Sequence, residues 1–355
     1  MRCKYGLKTE QTNRTQPEEK QAASAPILSV EGLKTYYYSN GTAAPAVDGV
    51  SFELHAGEII GIVGESGCGK STVVRTLMGL LDPISSRREA GTARLGDIDL
   101  FSLRPKELCR VRGKRIAMIF QNPLSALDPV YTVGNQIMEM LLLHEKMTRQ
   151  QARERAIELL REVNIPSPEL RVDQYPHELS GGMQQRVMIA IALACNPEIL
   201  IADEPTTALD VTVQAQILDL LRQLRDRLGI AVILITHNMG VVAALCDRML
   251  VMYGGVVVEE GSCKEVFAHP AHPYTKGLLA AIPSVAQDKE RLYTIPGQVP
   301  VLRLPVRMCR FSSRCGCSMP RCEQEEPPLT ERAEGHWCRC WQESGKEVPA
   351  DGENS

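Results

Sequence analysis

A glycine-rich loop that ends in lysine and serine carries the clearest chemistry in this sequence. It follows the apolar run 59–63 and precedes a helix-forming stretch. Glycines let backbone N–H groups turn inward around an anion, and a helix N-terminus adds partial positive charge. We expect Lys70 to reach the β- and γ-phosphates of a nucleoside triphosphate and Ser71 to bind Mg²⁺, which a plain strand-to-helix link would not require. The predicted phosphate loop consists of Gly64, Glu65, Ser66, Gly67, Cys68, Gly69, Lys70, Ser71 and Thr72.

Two adjacent acids, Asp203 and Glu204, end the apolar run 199–202. Carboxylates at the carboxyl end of a parallel strand lie at the sheet edge where ligands bind. We expect Asp203 to hold Mg²⁺ through water and Glu204, turned to the other face, to act as a general base on water. Taken alone, such a pair is also typical of a helix cap or a solvated turn.

A second helix start rich in small residues lies at Ser180, Gly181 and Gly182. Serine followed by two glycines leaves several N–H groups pointing outward, which forms a second anion-binding terminus. The alternative is a plain serine cap on a buried helix. Two such termini in one chain indicate a composite site.

Alternating strands and helices must position these side chains. Five apolar runs bounded by turn residues predict buried strands at 58–64, 115–121, 198–204, 231–237 and 248–255. Between two of them, residues 150–164 carry apolar side chains at helical spacing. This alternation over residues 27–261 predicts an α/β fold, with a parallel sheet covered by helices on both faces.

Length and charge restrict the classes of function. The 355 residues are 44% hydrophobic, which excludes disordered, collagen-like and coiled-coil chains and allows one large domain plus a small appendage. The net charge of -3 gives no global basic field for nucleic acid or an anionic membrane. The sequence lacks both a run of about 20 apolar residues and a secretory signal, so we expect a cytosolic protein that docks on a membrane protein.

Composition divides the chain further. Residues 1–26 are polar and predict a disordered tail, as does the polar end at 342–355. After residue 261 the composition changes to a proline- and arginine-rich stretch, followed by clustered cysteines, which predicts a separate C-terminal extension over 262–341.

Six of the twelve cysteines lie between Cys309 and Cys340. In a reducing compartment, clustered thiolates favour an iron-sulfur cluster or Zn²⁺, with free or disulfide-linked cysteines as the remaining alternative. Six arginines and no acid lie between Arg291 and Cys322, a local field that suits an anionic thiolate cluster. We expect the cluster to brace a segment with little apolar core.

The combined motifs resemble the ATP-binding-cassette ATPases. Residues 179–186, LSGGMQQR, are similar to the signature of that superfamily and precede its acidic strand. Further landmarks occur in the family's order. Tyr37 resembles the aromatic residue that stacks on adenine, Gln121 resembles the Q-loop residue, and His237 resembles the switch histidine. The family's D-loop is matched by Ala208, Leu209 and Asp210.

This resemblance implies an ATPase with a helical subdomain at about 122–185. Two cassettes form a head-to-tail dimer, in which ATP on one phosphate loop is closed over by Ser180, Gly181 and Gly182 of the other. Catalysis is implied for Glu204, His237, Gln121 and Lys70. Mg²⁺ ligands are implied at Ser71, Gln121 and Asp203.

Two segments narrow the resemblance to the ATPases of oligopeptide and dipeptide importers, also found with nickel uptake. They are residues 271–283, AHPYTKGLLAAIP, and the Q-loop region 113–141. Two residues depart from the family pattern: Cys68 in the phosphate loop stands where Ser is common, and Asp128 in the Q-loop region stands where Asn is common. The group implies partners: a second ATPase subunit, which is a paralogue or a copy of this chain, two membrane permeases and an extracytoplasmic solute-binding protein. It also implies a peripheral position on the cytoplasmic face of the membrane.

The same group carries a [4Fe-4S] cluster, and the best match to its ligands is Cys309, Cys315, Cys322 and Cys338, with Cys317 and Cys340 as open substitutes. Zn²⁺ remains the alternative metal. Two other functions are considered beside import. A soluble cassette ATPase acting on nucleic acid or ribosomes is disfavoured by the single cassette and the absence of a basic stripe. A catalytically silent regulator is disfavoured because Lys70 and Glu204 are both present.

Overall fold

The computed structural model describes residues 25–39, 41–207, 210–282, 294–300 and 302–342. Ala208 and Leu209 of the predicted D-loop lie outside the described residues, as do 1–24 and 343–355 of the two predicted tails. None of the helices in the described part is long and apolar enough to span a membrane.

The strands form two sheets. Their bounds are β1 Leu28–Ser39, β2 Thr42–Leu54, β3 Ile59–Val63, β4 Ser86–Leu95, β5 Ile98–Asp99, β6 Ile116–Ile119, β7 Ile199–Asp203, β8 Ala231–Thr236, β9 Arg248–Tyr253, β10 Val256–Ser262, β11 Thr330–Ala333 and β12 His336–Cys338.

The helices lie mainly between these strands. Their bounds are α1 Lys70–Leu77, α2 Pro105–Val111, α3 Pro123–Ala126, α4 Val133–His144, α5 Arg149–Glu162, α6 Pro168–Arg171, α7 Gly181–Leu193, α8 Val211–Leu228, α9 Met239–Leu245, α10 Cys263–Ala268, α11 Pro273–Ala280 and α12 Pro320–Gln324, with 3-10 helices at Pro176–Glu178 and Ser312–Arg314.

The main sheet confirms all five predicted strands. Its order is β11-β12-β10-β9-β3-β8-β7-β6, and the segment from β9 to β6 is parallel. Strand β3 is central, with Ile60 opposite Ile233 on one side and Arg248 on the other. Since β3, β8 and β7 are neighbours, their carboxyl ends bring the phosphate loop, His237 and Asp203 to one edge of the sheet.

The two faces of the sheet are covered differently. Ile59 and Val63 of β3 pack in a core with the helices α4, α5 and α7–α9. Ile60 and Ile62 face a second core, formed with α1 and an antiparallel sheet of order β2-β1-β4-β5. The prediction of helices on both faces is therefore incomplete, because this second sheet covers much of one face.

Helices α3–α6 lie between β6 and the signature helix α7. The predicted amphipathic helix at 150–164 is confirmed as α5, and its face of Ala152, Ala156 and Leu159 is buried. A capping box starts it, since Thr148 accepts the N–H of Gln151 while the Gln151 side chain accepts the N–H of Thr148. Helix α5 packs on α4 and α7.

The C-terminal extension shares the main sheet instead of standing apart from it. Strand β12 pairs with β10, with Cys338 opposite Glu259, and β11 pairs with β12. The Glu259 side chain is fully buried and accepts hydrogen bonds from the backbone N–H groups of Ala271 and His272, at 2.6 and 2.9 Å. Its Oε1 also lies 2.8 Å from Nε2 of the buried His336. The compositional boundary at residue 261 thus falls within β10.

Candidate functional site

A cavity of about 990 Å³ opens at the carboxyl edge of the parallel strands. Most of the predicted nucleotide-site residues line it, so the fold brings together groups that are up to 200 positions apart. These lining residues are Tyr37, Gly64, Glu65, Ser66, Gly67, Gly69, Lys70, Ser71, Thr72, Gln121, Glu204 and His237.

The phosphate loop follows β3 and needs glycine where backbone approaches backbone. Gly69 has a φ of 105°, and a Cβ there would lie 2.0 Å from the carbonyl oxygen of Ala46. At Gly64, with a φ of 150°, a Cβ would lie 2.3 Å from the carbonyl oxygen of Met252. Both close approaches fix the loop against β2 and β9, which preorganises it for an anion.

Lys70 begins helix α1 and is almost fully buried. Its ammonium donates to the carbonyl oxygens of Gly64 at 2.8 Å and Glu65 at 2.9 Å, and lies 3.8 Å from Sγ of Cys68. Burial raises the pKa of the Cys68 thiol, which favours its neutral form. The Lys70 ammonium thus places a positive charge inside the loop, where the loop's own carbonyl oxygens hold it beside the neutral Cys68 thiol.

Ser71 and Asp203, the first two predicted Mg²⁺ ligands, lie within hydrogen-bond distance of each other. The Ser71 hydroxyl donates to Asp203 Oδ1 at 2.8 Å. Burial raises the pKa of Asp203, against the lowering effect of that hydrogen bond. Hydroxyl and carboxylate oxygens suit Mg²⁺, which retains several waters and uses few protein ligands, so these residues fit the predicted ion. Gln121, the third predicted ligand, donates through Nε2 to Glu204 Oε2.

Glu204 is the centre of a hydrogen-bond network. Its Oε2 accepts from Gln121 Nε2 at 2.8 Å and from the Thr207 hydroxyl at 2.9 Å, while Oε1 lies 3.3 Å from His237 Nδ1. Burial raises the pKa of Glu204, but the hydrogen bonds from Thr207 and His237 outweigh it and leave the pKa below its usual value. The backbone φ of 47° turns this residue away from the strand direction. The hydrogen bonds keep this carboxylate ionised and fix its orientation, two conditions for a group that accepts a proton from water.

The signature residues lie apart from this cavity. Ser180 caps α7, since its Oγ accepts the N–H of Met183 at 3.4 Å. A Cβ at Gly182 would come within 2.9 Å of Val213 in α8. Ser180, Gly181 and Gly182 are not among the residues that line the cavity of their own chain. Asp210, the described D-loop residue, caps α8 through the N–H of Val213.

Four residues of the extension also line the cavity, which sequence reasoning missed. The sequence offered a signal for Leu278 alone, which lies in the 271–283 motif. The arginine field of the extension also differs from the prediction, since Arg310 pairs with Asp48 and Arg314 with Glu65. These guanidinium groups bind core carboxylates instead of surrounding the thiols. The four lining residues are Leu278, Val299, Pro300 and Leu302.

The clustered cysteines all lie in described parts of the extension. No set of three or more Cys, His, Asp or Glu side chains among the described residues is arranged to hold a metal ion. Burial raises the pKa of Cys309 to about 11, with smaller contributions from the Cys322 and Cys340 thiols. Burial also raises the pKa of Cys338, where Glu259 contributes next and Cys340 after it. The arrangement itself gives no support to the predicted [4Fe-4S] cluster.

Comparison with known proteins identifies the family. A family model described as "ABC transporter" matches residues 47–207, and one described as "Oligopeptide/dipeptide transporter, C-terminal region" matches residues 258–322. The chain is 48% identical over 316 residues to a probable peptide ABC transporter ATP-binding protein of Sinorhizobium fredii, covering 89% of this chain and 94% of the relative. It is 46% identical over 314 residues to the dipeptide transport ATP-binding protein DppD of Escherichia coli, covering 88% and 96%.

A solved structure is also similar. The ATP-binding cassette MJ0796, in a dimeric post-hydrolysis state bound to ADP and Pi, matches with a TM-score of 0.60 and 29% identity, over 67% of this chain and 99% of that one. The relatives support transport and give no support to the nucleic-acid alternative. The chain therefore belongs to the ATP-hydrolysing subunits of the ABC transporter family, in the group with the oligopeptide/dipeptide transporter C-terminal region.

Proposed function

We propose that this chain hydrolyses ATP to power the uptake of dipeptides or oligopeptides through separate membrane permeases. The observation that carries the proposal is the C-terminal extension of oligopeptide-transporter type, which shares the main sheet and lines the nucleotide cavity. Relatives of nearly full length are named as peptide or dipeptide transport proteins. Uptake of nickel or another small solute is the alternative within transport.

The site supports phosphoryl transfer to water by positioning and electrostatics. Lys70 and the loop N–H groups bind the phosphates, and Ser71 with Asp203 would hold Mg²⁺, which supplies charge neutralisation. Glu204, kept ionised by its hydrogen bonds, accepts the proton of the attacking water, and His237 beside it would contact the γ-phosphate. Gln121 joins this network to the helical region. Tyr37 on the cavity wall stacks on adenine.

Reconstitution tests the proposal. The full chain would be assembled in proteoliposomes with its permeases, its partner ATPase and the solute-binding protein, and ATP hydrolysis measured with a labelled dipeptide, a labelled oligopeptide or Ni²⁺. We expect a peptide to stimulate hydrolysis and to accumulate. Glu204→Gln should reduce hydrolysis by about 10²-fold or more while ATP still binds. Stimulation by Ni²⁺ alone would favour the alternative solute, and hydrolysis unaffected by Glu204→Gln would contradict the mechanism.

We further propose that a second cassette, either a paralogue or another copy, completes the site through Ser180, Gly181 and Gly182. The similar solved cassette is a dimer, and in this chain those residues lie outside their own cavity. The assembly belongs on the cytoplasmic face of the membrane as a peripheral subunit. Light scattering of Glu204→Gln, alone and with its paralogue, should detect an ATP-dependent dimer, and Ser180→Arg should prevent it. A dimer that forms equally with Ser180→Arg would contradict this arrangement.

A [4Fe-4S] cluster in the extension remains a proposal, with Zn²⁺ as the alternative. The ligands that the family resemblance implies are Cys309, Cys315, Cys322 and Cys338, with Cys317 and Cys340 as open substitutes. Anaerobically purified protein should absorb near 400 nm and contain iron and acid-labile sulfide. Equimolar zinc without colour would favour the alternative metal.

A further inference from the structure

We propose that the C-terminal extension positions the phosphate loop by holding Glu65, with Arg314 and Tyr274 as the positioning residues. The proposal rests on the nucleotide site described above and adds a role for the extension in that site. It follows from three contacts that converge on one loop residue.

The first contact is a two-point ion pair. Arg314 Nη1 donates to Glu65 Oε2 at 2.7 Å, and Nη2 donates to Oε1 at 3.0 Å. The Arg314 side chain is only 5% exposed, and its Nε donates to the carbonyl oxygen of Pro296 at 2.9 Å. A buried guanidinium with this planar geometry fixes both the position and the orientation of the carboxylate.

The second contact comes from helix α11. The backbone N–H of Glu65 donates to the hydroxyl oxygen of Tyr274 at 2.8 Å. Tyr274 is fully buried, and its ring lies 4.8 Å from the Tyr253 ring and 5.4 Å from the Phe311 ring, centroid to centroid. This aromatic packing leaves the hydroxyl little freedom, so the loop backbone is held as well as the side chain.

The third contact links Glu65 to the ammonium of Lys70, to which the Glu65 carbonyl oxygen accepts at 2.9 Å. All three polar groups of Glu65 are therefore engaged, two of them by the extension. A carboxylate in a loop that binds a polyanion opposes that binding unless its charge is neutralised. Arg314 supplies the neutralising charge, which gives the extension a direct effect on affinity for triphosphate.

A matched control lies four residues away. Arg310 is also buried and joins the extension to the core through Asp48 at 2.6 Å and the carbonyl oxygen of Gly254 at 2.6 Å, while Glu326 of the extension itself lies at 2.9 Å. None of these three partners belongs to the phosphate loop. Loss of Arg310 thus tests anchoring of the extension, whereas loss of Arg314 tests the loop.

The test is a titration of the full chain with Mg²⁺ and a fluorescent N-methylanthraniloyl ATP. Arg314→Ala should weaken binding by about tenfold or more, because it leaves the Glu65 carboxylate without its neutralising partner in a loop that binds a polyanion. The weakening should fall as salt rises, because it comes from an unpaired charge. Adding Glu65→Gln to Arg314→Ala should restore most of the affinity. Arg310→Ala should change binding by less than about threefold, and circular dichroism checks that each variant is folded.

Steady-state kinetics provides a second readout. For Arg314→Ala we expect the KM for ATP to rise more than kcat falls, and Arg314→Lys to recover part of the loss by keeping the charge. Equal weakening in Arg310→Ala and Arg314→Ala, or no recovery on adding Glu65→Gln, would overturn the positioning role. Failure of the wild-type chain to bind the ATP analogue would instead overturn the nucleotide site itself.

Discussion

Glu259→Ala removes the buried carboxylate that joins the extension to the main sheet. The change leaves two backbone N–H groups, of Ala271 and His272, without their acceptor and also removes the contact to His336. Each orphaned buried donor costs about 1–3 kcal/mol, and removal of the buried carboxylate offsets part of that cost. We expect a net loss of about 3–5 kcal/mol, the range measured when one partner of a buried pair is deleted.

Thermal unfolding of the purified full chain measures this loss. At about 2 °C per kcal/mol for a large domain, Tm should fall by roughly 6–10 °C. Hydrogen exchange should locate the weakening at α11 and at β12. Glu265→Ala is the control, because its exposed pair with His269 contributes less than about 1 kcal/mol. A Tm within about 1 °C of wild type would show that Glu259 does not anchor the extension.

Three further outcomes follow from the site and its surroundings. Gly69→Ala should weaken ATP binding by about tenfold or more in calorimetry, because its Cβ would lie 2.0 Å from the Ala46 carbonyl oxygen; unchanged affinity would contradict the close approach. Thr207→Val removes a hydrogen bond that lowers the pKa of Glu204, so the acid limb of kcat should move to higher pH, and an unmoved limb would count against Glu204 as the base. Burial lowers the pKa of His272 to about 4 in the folded chain, whereas the unfolded chain has the ordinary value of about 6.5. As the pH falls from about 6.5 to 4, the unfolded chain therefore binds a proton that the folded chain does not, and the free energy of unfolding falls by about 3 kcal/mol. Urea unfolding across that range should show a smaller loss in His272→Asn, and an equal loss would refute this assignment.

The sequence was sufficient to predict those elements whose hydrophobic pattern lies within a single segment. The five parallel strands are continuous apolar runs because they are buried on both faces, and such runs are visible in a sequence. Strand β4 escaped the same reasoning, since only Ser86, Ala93 and Leu95 of its ten residues are buried. Its charged and mostly exposed sequence is also compatible with a surface loop, so this strand of the antiparallel sheet became visible only in the fold.

For the site, the arginines of the extension show that the sequence did not predict which acids they would pair with. Their density is a sequence property, and the sequence alone favoured a thiolate cluster as their partner. Arg314 instead pairs with Glu65, 249 positions earlier, and Arg310 with Asp48, 262 positions earlier. No local pattern encodes which acid a distant arginine reaches, because packing of α11 and β12 on the sheet sets that choice.

The sequence by itself determined the chemistry of this protein: a phosphate loop ending in Lys70 and Ser71, an acidic strand end at Asp203 and Glu204, and a signature helix start at Ser180. These groups are recognisable because short spacings along one chain dictate local backbone geometry. Tertiary structure alone decided that the extension forms one wall of the nucleotide cavity and holds Glu65. The physical reason is that burial and charge pairing between distant segments depend on how the sheets and helices pack.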